Sequence, residues 1–184
     1  MHIVIATPLY PPDIALPAPY VKELARRLAG SHQVTIVTYG KLPEKVPGVR
    51  IIAVPKNRML PMRLVYYTFI LWKAARSADV IYAQNGASVE LPAGLVGFFA
   101  NRPLVVGLSD ASAHDRAAHK KRLGMVERFA LGRATTTVMD MPLARPEILP
   151  FEPRPEAALD MYEKSWNVHL KELENIFAAA KNHD

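Results

Sequence analysis

The chain has 184 residues, half of them apolar and 22% charged, a balance that excludes a disordered chain, gives one domain a good core and argues against two full domains. The 23 Lys+Arg against 17 Asp+Glu give a net charge of +6 and an isoelectric point near 9.6, which is either solubilising surface charge or an attraction for anionic partners. The absence of cysteine excludes disulfides, thiolate metal sites and a thiol nucleophile, and fits a reducing compartment, the cytoplasm.

The apolar run His2 to Thr7 predicts a strand, and the turn Pro8-Leu9-Tyr10-Pro11-Pro12-Asp13 leads from it to a helix over Tyr20 to Ala29, closed by Gly30. With no basic segment ahead of a long apolar core, Met1-His2-Ile3-Val4 reads as a strand and not a signal peptide. A β-branched run, Gln33 to Thr38, gives a second strand, and Val49 to Val54 a third, stopped by Pro55. Pro61 opens a helix over Met62 to Lys73 whose apolar positions cover nearly the whole circumference; it is too short and too basic to span a bilayer.

Asp79 to Ala83 is a buried fourth strand, followed by the polar turn Gln84-Asn85-Gly86, a helix over Val89 to Ala100 and a fifth strand, Leu104 to Leu108. After the loop Ser109 to Asp115 come a helix over Arg116 to Gly132, basic at its start, and a sixth strand over Ala134 to Met139. Pro142, Pro146, Pro150, Pro153 and Pro155 mark an extended connector. The last element, Glu156 to Lys181, is a long helix with Leu159, Tyr162, Trp166, Leu170, Leu173 and Phe177 on one stripe. The fold class is therefore α/β, a Rossmann-like, doubly wound parallel sheet over residues 1–141, with a connector over 142–155 and a C-terminal helix over 156–184 that packs back on the domain.

In such sheets ligands bind beyond the carboxyl ends of the strands. The first of these exits, Ile3-Val4-Ile5-Ala6-Thr7-Pro8-Leu9-Tyr10-Pro11-Pro12-Asp13-Ile14 followed by Pro17-Ala18-Pro19-Tyr20, resembles the opening of the family 4 glycosyltransferases of the GT-B fold, with Ala15-Leu16 where that family usually carries Gly-Gly. A β-carbon and an isobutyl group there fill space that glycine leaves for a phosphate or sugar. Asp79-Val80-Ile81-Tyr82-Ala83-Gln84-Asn85 is similar to the family's Asp-Val-Ile-His-Ala-His-Asn, with Tyr82 and Gln84 at the histidine positions, and Ser109-Asp110 resembles its His-Asp pair with the histidine lost. The resemblance covers roughly Met1 to Met139 and Glu156 to Phe177. Glu156 and Glu163 lie seven apart, but not in the Gly-rich setting of the family's acidic donor signature.

The resemblance implies the acceptor-side half of a transferase that moves a sugar from a nucleotide-sugar, with the donor half supplied by another chain. Its partners would be a donor-half protein or a second copy, a nucleotide-sugar or glycan, and a peripheral membrane contact at the inner face. The alternative is a non-catalytic relative that binds a glycan, a membrane or a subunit. Candidate ligand-binding residues are Tyr10, Ala15, Leu16, Gln84, Asn85 and Gly86. The amides of Gln84 and Asn85 suit an acceptor hydroxyl or, equally, a capped turn. Asp110 is a candidate base or an N-cap, and His114 a neutral-pH titrating group or an exposed loop residue. Arg63, Tyr66, Phe69 and Trp72 suit a lipid headgroup boundary, a core helix or a subunit contact. The basic run Arg116 to Arg122 fits phosphate binding or a solvated face. No cofactor is implied, no zinc spacing or nucleophile elbow is present, and no aromatic-interleaved basic motif supports nucleic-acid binding.

Overall fold

The computed structural model describes residues 1–15, 17–57, 59–84, 86–108, 121–138 and 156–182. They form a six-stranded, all-parallel sheet of order β3-β2-β1-β4-β5-β6, with β1 His2–Ala6, β2 Gln33–Tyr39, β3 Val49–Val54, β4 Val80–Gln84, β5 Leu104–Gly107 and β6 Thr136–Val138. The helices are α1 Pro17–Leu28, α2 Leu60–Ala75, α3 Ala87–Ala100, α4 Lys121–Arg133 and α5 Glu156–Lys181. Strand order reverses between β1 and β4, and the carboxyl ends of those strands flank the crevice where such sheets take ligands.

Strand periodicity divides the core in two. Ile3, Ile5, Val34, Ile36, Val80, Tyr82 and Val105 meet α1 and α5 on one face, while Val4, Ala6, Val37, Tyr39, Ile81, Ala83 and Val106 meet α2 and α3 on the other. α1 buries Tyr20, Val21, Leu24, Ala25 and Leu28, the spacing of one helical face. α5 buries Trp166, His169, Leu173, Phe177 and Ala180 beside it, and Trp166 stacks on Tyr20 with ring centroids 5.6 Å apart. Leu159, predicted on this stripe, is 43% exposed: the periodicity continues toward the start of α5, past the point where the face finds a partner.

α3 shows how a local defect is repaired. Pro92 has no N–H to donate to the Ser88 carbonyl, and the Tyr39 hydroxyl donates to that carbonyl at 2.9 Å instead. Tyr39 in turn stacks on Tyr67 with centroids 4.4 Å apart, so this one side chain of β2 ties α2 by an aromatic stack and α3 by a hydrogen bond. Burial holds the Tyr39 phenol up at about 12, against the opposing pull of Arg63.

Element ends differ from the sequence expectation where proline and glycine set them. α1 begins at Pro17 rather than Tyr20, because proline is favoured in a first helical turn, and α3 begins at Ala87, directly after its N-cap Gly86. β1 and β4 end at Ala6 and Gln84 instead of Thr7 and Ala83. Residues 109–120 and 139–155, which hold the predicted start of α4, Asp110, His114 and the proline connector, lie outside the described residues. No helix among the described residues is long and apolar enough to cross a membrane.

Candidate functional site

Three strand exits meet at one end of the sheet. The β1 loop turns sharply: the Thr7 hydroxyl donates to the Leu9 carbonyl at 2.7 Å, and the Asp13 amide donates to the Tyr10 carbonyl at 3.1 Å. This places Tyr10 and Asp13 beside the ends of β2 and β3, around a cavity of about 290 Å³ lined also by Thr38, Tyr39, Lys41 and Lys56. Lys56 Nζ lies 3.1 Å from Asp13 Oδ2 across its mouth. The Tyr10 hydroxyl is buried with no hydrogen-bond partner among the described residues, and burial, reinforced by the Glu44 carboxylate, raises it to about 12. It is therefore a neutral phenol with a proton to give at physiological pH.

At the β4 exit Gln84 is fully buried. Its Oε1 lies 2.9 Å from the Thr7 hydroxyl, and its Nε2 has no partner among the described residues. Each such buried orphan costs stability, and these two, of six among the described residues, lie at adjacent strand exits.

The helix N-termini beside these exits are poor anion sites. Of the first three residues of α1, Pro17 and Pro19 have no N–H, and the Ala18 N–H is donated to the Ala15 carbonyl at 2.9 Å. At α3 the Gly86 amide donates to the Glu90 carboxyl at 2.9 Å, which puts an acidic group where a phosphate would sit. Gly86 itself has φ +145°, and an added Cβ would lie 3.3 Å from Pro8 Cγ, so glycine suits both the backbone conformation and the close approach of the two exits here.

The predicted residues are distributed as follows. Tyr10 lines the cavity, Gln84 joins it through Thr7, Gly86 caps α3, and Ala15 is an exposed bend that receives the Ala18 amide. Leu16, Asn85, Asp110 and His114 lie outside the described residues. Arg63 turns toward β2, its guanidinium 5.4 Å from the Tyr39 ring centroid, and Tyr66 is half-buried against the core; Phe69 and Trp72 face outward. Sequence reasoning did not single out Asp13, Lys41 or Lys56. Lys56 follows Pro55 directly after β3, so the strand-exit rule applied to β3 would have reached it.

Tyr82, at a position where the resemblance implies histidine, is fully buried away from this cavity. Its hydroxyl lies 3.3 Å from that of Tyr20, which lies 2.8 Å from His169 Nε2, so it serves the α1–α5 layer.

No protein-family model matches the sequence, and no curated protein does. Among solved structures the chain is similar to the Anabaena protein HepE in complex with UDP and glucose, at 14% identity and a TM-score of 0.56 over 90% of this chain and 41% of that one. It is also similar to a UDP-N-acetylglucosamine 2-epimerase homologue from Listeria monocytogenes, at 14% identity and TM-score 0.53 over 73% and 38%, and to the UDP-GlcNAc 2-epimerase of Methanocaldococcus jannaschii, at 12% and 0.51 over 78% and 40%. The likeness establishes the fold alone, a Rossmann-like α/β domain of the kind these proteins contain. The chain spans about two fifths of the length of these neighbours.

Proposed function

We propose that this domain is the acceptor-side half of a family 4-like glycosyl transfer system, acting with a donor-binding half supplied by another chain. The observation that carries this is the pair of helix N-termini at the switch point. One opens on prolines and the other is filled by Glu90, so the described residues offer a nucleoside diphosphate no N–H cradle at these two ends and its binding falls to the other half. What this side offers instead is a neutral phenol, a buried amide and the Lys56–Asp13 pair, groups that exchange hydrogen bonds with a hydroxyl-rich acceptor. In this reading Asp110 or His114 takes the acceptor proton, and the acceptor is presented at a lipid surface.

Calorimetric titration of the chain with UDP-, GDP- and ADP-sugars tests the assignment. No saturable heat is expected from the chain alone, and turnover is expected once a donor-half protein is added; saturable binding by the chain alone would overturn the acceptor-side reading. The burial of Tyr82 favours a second reading, a non-catalytic glycan- or subunit-binding relative. Absence of turnover with every co-encoded donor-half candidate selects that second reading.

A further inference from the structure

From Lys45 to Ala78 the chain has seven basic residues and no acidic one. This stretch supplies β3, its exit and α2, and with them one wall of the cavity at the strand exits. Lys56 stands in that wall, directly after β3. Arg63 backs it: the guanidinium lies 5.4 Å from the Tyr39 ring centroid and donates to the Lys56 carbonyl at 3.4 Å, with no carboxylate partner among the described residues. The exit of β2 adds Lys41, an exposed cation that makes no ion pair among the described residues.

Little negative charge offsets these groups. Glu44 is taken up by Lys22, and Asp13 lies 3.1 Å from Lys56. Tyr10 and Tyr39, both in the lining, stay neutral because burial holds each phenol up at about 12. Lys41, Lys56 and Arg63 thus stand beside one carboxylate, Asp13, and a concave site with such a surplus concentrates anions. The volume of about 290 Å³ is at the small end for ligand sites, room for one sugar-sized group. Gly40 leaves the β2 exit uncovered, since a Cβ added there would meet nothing within 4 Å. A ring can therefore approach the backbone at that point.

We propose that this cavity takes an acidic sugar, a monosaccharide unit with a terminal carboxylate or phosphomonoester, its anion held by Lys41 and Lys56 while the Asp13 carboxylate competes for Lys56. Calling that sugar the acceptor rests on the acceptor-side reading; the anion site does not. The oxygens of either anion accept charge-assisted hydrogen bonds from the two ammonium groups. A nucleotide-sugar does not fit, because its diphosphate is an internal link between two bulky groups and not a terminal one.

The test is titration of the whole, isotope-labelled chain with glucose 6-phosphate, glucuronate, glucose and inorganic phosphate, followed by amide NMR. The acidic sugars should saturate, shift the amides of Gly40 and Lys41, and bind more weakly as salt is added. The tighter of the two identifies the anion as phosphate or carboxylate. Glucose should bind about tenfold more weakly than either, and Lys41→Gln should lower the affinity for the acidic sugars by about the same factor. Asp13→Asn should raise that affinity about threefold by releasing Lys56, a sign that loss of a structural ion pair would not give. The proposal is overturned if neither acidic sugar binds, if glucose binds as tightly as they do, or if inorganic phosphate matches glucose 6-phosphate. An unchanged affinity in either variant overturns it too. Acidic-sugar binding without turnover beside a donor half leaves this site standing and counts only against the transfer reading.

Discussion

Single side chains in this domain do work that their own element cannot. Tyr39 supplies the hydrogen bond that Pro92 removes from α3. Tyr39→Phe should therefore cost about 1–2 kcal/mol, the penalty of a carbonyl left without its donor, and a change below a few tenths in urea unfolding would show that water replaces it. Tyr10 is the opposite case, a buried hydroxyl with no partner among the described residues. Tyr10→Phe should leave the melting temperature unchanged or raise it by about 2–4 °C, while removing a donor from the cavity; a fall in melting temperature would mean that the hydroxyl is already satisfied in solution. The sequence announces Tyr10 through its strand-exit position, but neither its burial nor the Lys56–Asp13 pair, since partners 43 positions apart meet only once β1 and β3 are in one sheet. The helical pattern in the sequence starts α1 at Tyr20, past its two prolines, Pro17 and Pro19. Their chemical consequence, a helix start without donors, becomes clear only when Ala18 is seen bonded to Ala15.

Among the elements, α5 depends most on charge for its seat. Arg27 donates to both oxygens of Glu163, at 2.8 and 2.6 Å, and Lys181 lies 2.9 Å from Asp79, which also accepts the His2 amide at 2.7 Å. The Arg27 hydrogen bond holds Glu163 below its usual range, and the His2 amide followed by Lys181 does the same for Asp79. A carboxyl depressed in the folded state stabilises it above the unfolded pKa and loses that contribution as pH falls through the folded one. The seat of α5 should thus be insensitive to these two groups from pH 6 to 8 and weaken below about pH 4. Trp166 emission shifting to the red on acidification reads this directly; constancy down to pH 2 would refute it. Trp166→Ala should cost about 3–5 kcal/mol, a large share of the stability of a domain this size. Helix length and stripe for α5 were legible from period alone, and both ends match. The misplacement of Leu159 has a physical reason: periodicity identifies a face but not the length over which a partner covers it.

At the scale of the whole molecule, alternating strands and helices were enough to give a parallel doubly wound sheet, because parallel neighbours need crossovers. Stability should grade across that sheet, highest in β1 and β4, whose residues are almost all buried, and lowest in β6, a three-residue edge strand with no fully buried position. Amide hydrogen exchange followed by mass spectrometry should show that order, and slow exchange in β6 equal to that in β1 would contradict it. The placement of α5 also bears on how the protein is made. The apolar face of α1, β1 and β2 is complete in sequence by residue 39, whereas the side chains that cover it, Tyr162 to Ala180, follow more than a hundred residues later. At ribosomal speed the interval between them is on the order of ten seconds. Throughout that interval the nascent chain carries Tyr20, Leu24 and Leu28 without their cover, a standing target for chaperones that disappears only when α5 has emerged.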